Sequence, residues 1–196
     1  MTPNITLSNA LWGSNSAVRQ VVLVVAGIAL MAIAAKIKVM LPNSPVPVSM
    51  GTFAVLTIGA AYGPRLGLTT IIGYLLVGAL GFDVFANSTA ELSGWAYMSG
   101  STGGYLVGFV LALLVLGAAA NKGWDRSVLT LVPVLVAANA LIYVLGMAWL
   151  SYLYGMDIPT AFAKGVAPFL IGDALKVALT ALLLPSAWAV VKRVKG

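Results

Sequence analysis

Six apolar runs, separated by short polar breaks, constrain this chain more than any other feature. They cover 19–41, 46–62, 66–80, 103–120, 128–154 and 165–191. A helix needs about 20 apolar residues to cross the hydrocarbon of a bilayer. The second and third runs are short, as expected of segments that tilt little or lie inside a bundle. Composition settles what surrounds these runs. The chain is 61% hydrophobic and 8% charged, against about 25% charged in a soluble domain. A single domain of 196 residues cannot hide that much apolar surface from water, so lipid is part of its solvent. The expected fold is an all-α membrane protein, a compact bundle of six transmembrane helices.

The breaks carry turn chemistry. Pro42-Asn43-Ser44-Pro45-Val46-Pro47 parts the first two runs, Tyr62-Gly63-Pro64-Arg65 predicts a tight turn, and Asn121-Lys122-Gly123-Trp124-Asp125-Arg126 ends the fourth. The stretch 81–102 is long enough to expect a function of it. With the N-terminus in the cytoplasm, Arg19, Arg65, Lys122, Arg126, Lys192, Arg193 and Lys195 fall inside, and Lys36, Lys38 and Lys164 outside. Seven against three obeys the rule that basic loops stay cytoplasmic, and it predicts both termini inside. The net charge of +6 therefore reads as membrane orientation rather than affinity for nucleic acid.

The organisation that follows is a cytoplasmic tail over 1–18, a membrane domain over 19–191 and a basic tail over 192–196. The first tail has room for a short interfacial helix near Trp12 and lacks the features of a signal peptide. Loops 42–47, 81–102 and 155–164 gather on the outer face. No internal repeat is evident, which weighs against an inverted-repeat carrier.

The reactive inventory is thin. There is no cysteine and no histidine, which removes the commonest general base and the commonest metal ligands. The carboxylates are Asp83, Glu91, Asp125, Asp157 and Asp173. No metal site, catalytic cofactor or enzyme activity is expected, and a Ser-His intramembrane protease is excluded. No Gly-x-x-x-x-Gly-Lys-Ser/Thr phosphate loop is present, so ATP is not this chain's own energy source.

The strongest local signal is Gly172-Asp173-Ala174-Leu175-Lys176 in the last run. Residues three apart share a helix face, and an ionised group in the bilayer core costs roughly 2.5 to 3.5 kcal/mol on insertion scales. Asp173 and Lys176 therefore point inward, as a polar ligand site or as a structural ion pair. The segment Val84-Phe85-Ala86-Asn87-Ser88 and the turn Gly100-Ser101-Thr102-Gly103-Gly104-Tyr105 offer hydrogen-bonding groups, close backbone approach and aromatic walls that include Trp95 and Tyr97. A plain loop with interfacial aromatics fits them equally well. Pro42, Pro45 and Pro47 stiffen a loop that can serve as a lid over Ser49, or simply break a helix. Ala26, Ala29 and Ala32 recur every third residue. Small residues permit close helix packing, either against another subunit or within the bundle. Asn139 is expected to tie helices together and Pro185 to bend the last helix.

Taken in order, Leu41-Pro42-Asn43-Ser44-Pro45-Val46-Pro47-Val48, Ile58-Gly59-Ala60-Ala61-Tyr62-Gly63-Pro64-Arg65-Leu66-Gly67, Val84-Phe85-Ala86, Thr102-Gly103-Gly104-Tyr105-Leu106-Val107-Gly108-Phe109 and Ile171-Gly172-Asp173-Ala174-Leu175-Lys176 resemble the BioY family. These are the biotin-specific S-components of energy-coupling-factor (ECF) transporters. The resemblance spans roughly residues 36 to 180. It departs from the family at Ser49-Met50-Gly51-Thr52, where the family often has Thr-Leu-Gln-Thr, and at Ile171, which replaces a proline. Helix one also lacks a strict Ala-x-x-x-Ala pair.

The resemblance implies a multi-pass protein of a prokaryotic cell membrane that captures biotin at its outer face. It also implies partners: a transmembrane coupling protein and two cytoplasmic ATPases. Asp173, Lys176 and Asn87 would bind the ureido group, with Phe85, Tyr74, Tyr105, Ser49 and the Gly103-Gly104 backbone around the rings. An S-component for another vitamin, a proton-coupled carrier in which Asp173 titrates, and an assembly protein without a small ligand are the alternatives.

Overall fold

The computed structural model of the protein describes residues 5–12, 16–42 and 44–195. Parts of the expected terminal tails (1–4, 13–15 and 196) and Asn43 of the Pro-rich loop lie outside the described residues.

The chain forms helices α1 (Leu7–Trp12), α2 (Ala17–Lys36), α3 (Gly51–Ala79), α4 (Gly94–Met98), α5 (Gly103–Asn121), α6 (Val128–Tyr154), α7 (Ile158–Gly165) and α8 (Leu170–Lys195). A two-residue antiparallel hairpin, β1 (Lys38–Val39) with β2 (Val48–Ser49), links α2 to α3. Among the described residues, five stretches are long and apolar enough to cross a membrane: α2, α3, α5, α6 and Ile158–Val194, which takes in α7 and most of α8.

The count is five because the second and third apolar runs join into one 29-residue element, α3. Its backbone is non-helical at Gly63, with φ 77° and ψ 178°, a conformation essentially reserved for glycine. Pro64 follows, at the position where its fixed φ and missing N–H suit a new helical start. Neighbouring glycines show where the two arms go. A Cβ on Gly59 would lie 3.2 Å from Leu113 Cα, and one on Gly67 would lie 2.5 Å from Leu113 Cδ2. One on Gly117, a turn further along α5, would meet Pro64 N at 2.5 Å. Residues four before and four after Gly63 thus meet the same residue of α5, so the chain reverses there. At 1.5 Å per residue, the arms 51–62 and 64–79 span about 18 and 24 Å.

Helix α2 is capped by Ser16, whose side chain accepts from Arg19 N at 3.2 Å. It stops at Lys36 rather than continuing to 41, because the next residues turn extended and pair with β2. The Pro-rich loop is therefore the tip of a small hairpin. Residues 5–12, part of the expected tail, pack on the body. Leu7 and Ser8 are buried, Thr6 abuts Gly63, and Arg126 Nη2 donates to Ile5 O at 3.2 Å. Arg19 donates to Ser8 O and to Asn9 Oδ1.

Helix α5 lies at the centre, with Ala112, Leu113 and Leu116 fully buried. Its seam with α6 is made by glycines on both sides. A Cβ on Gly104 would meet Leu145 O at 2.4 Å, one on Gly108 would meet Ile142 Cα at 2.7 Å, and one on Gly146 would meet Tyr105 Cε1 at 2.3 Å. Helix α8 closes the bundle with a buried stripe that runs from Asp173 and Lys176 through Thr180 and Leu184 to Trp188.

Candidate functional site

At the end of the bundle away from Gly63 there is a cavity with about 660 Å³ of free space, its mouth included. Every long helix contributes to its wall, as do the Pro-rich loop and the 81–102 segment.

One wall is polar. Asp173 and Lys176 are 2% and 6% exposed, and their charged atoms are 2.6 Å apart. Lys176 Nζ also donates to Ser49 O at 2.6 Å and to Thr52 Oγ1 at 3.0 Å. An ammonium has three donors, so all three are engaged. Thr52 passes its own hydroxyl hydrogen to Asp173 Oδ1 at 3.1 Å. On the other carboxylate oxygen, Tyr143 donates at 2.6 Å and Asn139 Nδ2 stands at 3.5 Å. A buried pair is tolerable only when its remaining lone pairs and protons are met, and here all are met but one position on Asp173 Oδ2, which only the distant Asn139 amide approaches. Among the described residues, these two are the charged groups that line the cavity.

The facing wall is aromatic. Phe85 stacks on Tyr97 with centroids 4.9 Å apart and meets Tyr74 edge-on at 5.3 Å. It seats directly over Gly78, where a Cβ would fall 2.0 Å from Phe85 Cζ. Tyr74 anchors this segment by donating to Val84 O at 3.0 Å. Burial pushes the Tyr97 hydroxyl above its ordinary pKa. Tyr105 donates to Gly165 O at 2.6 Å, and Phe109, Ile142 and Phe169 complete the apolar lining.

The roof is the Pro-rich loop. Val46 and Pro47 line the cavity, Pro42 is exposed, and Ser101 Oγ donates to Pro45 O at 3.0 Å, tying the loop to the α4–α5 turn. Outside the roof, Lys36 pairs with Asp83 at 2.5 Å, and Ser88 donates to the same carboxylate oxygen at 2.6 Å. The Lys36 hydrogen bond first, then that of Ser88, holds the Asp83 carboxyl below its ordinary range.

The structure thus brings Asp173, Lys176, Ser49, Tyr74, Phe85, Tyr105 and Pro47 together around one space. Three expected residues stand elsewhere. Asn87 does not line the cavity; its side-chain oxygen accepts from Lys38 at 3.1 Å. Gly103 and Gly104 face Trp149 of α6, where a Cβ would come within 3.0 and 2.3 Å of that side chain. Their missing side chains serve helix packing, not approach to a ligand. Ala26 and Ala29 are exposed on α2 and Ala32 is half-buried.

Tyr143 and Thr52 were not singled out by the sequence reading. Tyr143 follows Asn139 by four residues on an otherwise apolar helix, and that spacing is the signal that two polar groups share a face. Thr52 lay inside a noted motif but carried no distinctive chemistry until α8 was placed beside it.

A second buried carboxylate lies at the opposite end. Asp125, 1% exposed, accepts from Trp188 Nε1 at 2.5 Å, while its Oδ1 has no partner. Arg126 stacks over the Trp188 ring, 4.4 Å from its centroid. Burial, more than any other influence, raises the Asp125 carboxyl above its ordinary pKa.

A helical body with stretches able to cross a membrane thus surrounds an aromatic-walled cavity that carries a buried ion pair. Its backbone matches the crystal structure of an S-component for biotin from an ECF-type ABC transporter, with a TM-score of 0.80 over 93% of this chain and 96% of that one, at 18% identity. The sequence matches the model of the BioY family over residues 5–193. Relatives include the probable biotin transporter BioY of Pyrococcus horikoshii, 34% identical over 84% of this chain and 93% of its own length. The biotin transporter BioY of Thermotoga maritima is 35% identical over 73% and 81%. The chain belongs to the BioY family.

Proposed function

We propose that this chain is the biotin-binding, substrate-specific subunit of an ECF-type importer in the cell membrane of a prokaryote. The observation that carries this is the cavity itself. An Asp173–Lys176 pair with one acceptor position left open lines the same cavity as a stacked Phe85–Tyr97 wall, in a chain whose relatives are named biotin transporters. Biotin has a flat bicyclic head with two N–H donors and a carbonyl, and a carboxylate tail. The head suits an aromatic wall opposite a buried acceptor; the tail suits the mouth, beyond the proline roof. A buried polar site rejects analogues lacking the matching group far better than an apolar pocket can.

In this reading the chain crosses the membrane six times, with α3 counted as two crossings because it reverses at Gly63. The end holding Gly63, Asp125 and Trp188 faces the cytoplasm, following the excess of lysine and arginine there. Residues 19–191 are the binding body, residues 5–12 brace its inner end, and 192–196 form a short basic tail. The cavity then opens outward. The exposed face of α2 around Ala26 and Ala29, with Ala32 beside it, is where a transmembrane coupling protein docks. Two ATPases on that partner supply the energy for release.

Calorimetric titration of the purified protein with biotin tests the reading. Tight binding by the wild type that Asp173→Asn abolishes is the expected result. A folded wild type that takes no biotin rejects it.

A further inference from the structure

The polar wall is unusually full, and counting its lone pairs leads to one more residue. A carboxylate offers about four acceptor positions, two on each oxygen. Asp173 Oδ1 takes Lys176 at 2.6 Å and Thr52 at 3.1 Å. Oδ2 takes Tyr143 at 2.6 Å, and only the Asn139 amide, 3.5 Å away, approaches its remaining position. That distance is the outer limit of a hydrogen bond. Lys176 has no donor to spare either, since Ser49 O and Thr52 Oγ1 take its other two. The pair is closed to a ligand everywhere except at one lone pair of Oδ2, next to the Tyr143 hydroxyl.

We infer that Tyr143 is a positioning residue for biotin recognition: by filling one lone pair of Asp173 Oδ2 from α6, its hydroxyl leaves a single acceptor position, which takes one particular ureido N–H. This rests on the biotin reading above. Tyr143 lines the cavity while Asp173 is 2% exposed, so the hydroxyl both points the carboxylate and bounds the gap through which a donor reaches it. Without it, Oδ2 has two open positions and a carboxylate plane fixed from one side only. The site then accepts donors from more than one direction and distinguishes them less well.

The test is a cycle of two proteins and three ligands by calorimetry. The proteins are the wild type and Tyr143→Phe, which keeps the ring; the ligands are biotin and biotin methylated at one or the other ureido nitrogen. Thermal unfolding checks that the variant is folded, and Trp188→Phe, at the far end of α8 and outside the cavity lining, serves as a second variant. In the wild type, methylation at one nitrogen weakens binding far more than at the other. In Tyr143→Phe, biotin binds about ten- to hundredfold more weakly, the loss expected for a hydrogen bond to a charged group, and the contrast between the two methylated ligands shrinks at least severalfold. Trp188→Phe preserves that contrast.

A Tyr143→Phe protein that loses the same factor for all three ligands has lost only packing, and that outcome overturns the inference while leaving biotin as the ligand. Unchanged affinity in the variant overturns it too. A wild type that binds none of the three rejects the biotin reading and this inference with it.

Discussion

Helix α8 carries a buried carboxylate partner at each end, and the two ends are built differently. Asp173 at the cavity is 2% exposed and Asp125 at the far end is 1% exposed. Burial is the same; provision is not. Asp173 has an ammonium at 2.6 Å, two hydroxyls and an amide around its oxygens. Asp125 has one indole N–H at 2.5 Å and an oxygen without a partner. A buried charge met at every position but one is a fixed feature that a ligand can be measured against. A partly met one is a weak point in the fold, which helps only by fastening the α5–α6 turn to Trp188. Number of donors, rather than depth, separates the recognition site from the brace.

The largest effect that breaks this contrast is expected for Lys176→Met. It strands Asp173 without its counter-ion, which costs about 3–5 kcal/mol and abolishes biotin binding; chemical or thermal unfolding in detergent and calorimetry read the two losses. Adding Asp173→Leu to that variant sharpens the point. Most of the stability returns, because an apolar pair replaces the ionic one, yet binding stays lost. If the double variant remains as unstable as the single one, the pair contributes more to the fold than to the ligand.

At the other end, Trp188→Phe removes the hydrogen bond that Asp125 receives there. A loss of about 1–3 kcal/mol is expected, with biotin affinity unchanged. Loss of affinity would show the two ends to be coupled through α8. The smallest effect is expected for Asp125→Asn, within about 1 kcal/mol at neutral pH, because the amide keeps an acceptor for the indole and sheds the buried charge. Its signature is in the pH dependence. The Asp125 carboxyl is raised in the folded protein by burial, so folding favours its protonated form. Its unfavourable contribution is present at neutral pH and is relieved as pH falls through the raised value toward the ordinary one near 4. Wild-type unfolding followed across that window should show the relief, and Asp125→Asn should not.

Much of this was legible in the sequence, for identifiable reasons. The limits of α6, Val128–Tyr154, coincide with the fifth apolar run because turn residues bound it on both sides. Asp173 and Lys176 stood out because charge in an apolar run is costly and must be met. The reversal at Gly63 was signalled by Gly63-Pro64, where the backbone leaves the helical conformation. What failed to show was side-chain direction across elements distant in sequence. Gly103 and Gly104 read as backbone open to a ligand, and only the placement of Trp149 reveals what fills the space. Asn87 read as a ligand donor and acceptor, but Lys38 on β1 claims its oxygen. Tyr143 was unremarkable until α8 set a carboxylate 2.6 Å away.

The glycine seam between α5 and α6 has a mechanical meaning. Where Gly104, Gly108 and Gly146 lie, the Trp149 side chain, the Ile142 backbone and the Tyr105 ring sit directly against glycine backbone. Two helices so interlocked cannot slide past each other without steric clash, and splaying them would forfeit close-packed contacts. A load placed on one is carried by both, as by a single stiff strut. The parts left to yield lie at the rim of the cavity: the proline roof, at the tip of its two-residue hairpin, and the Lys36–Asp83 tie outside it.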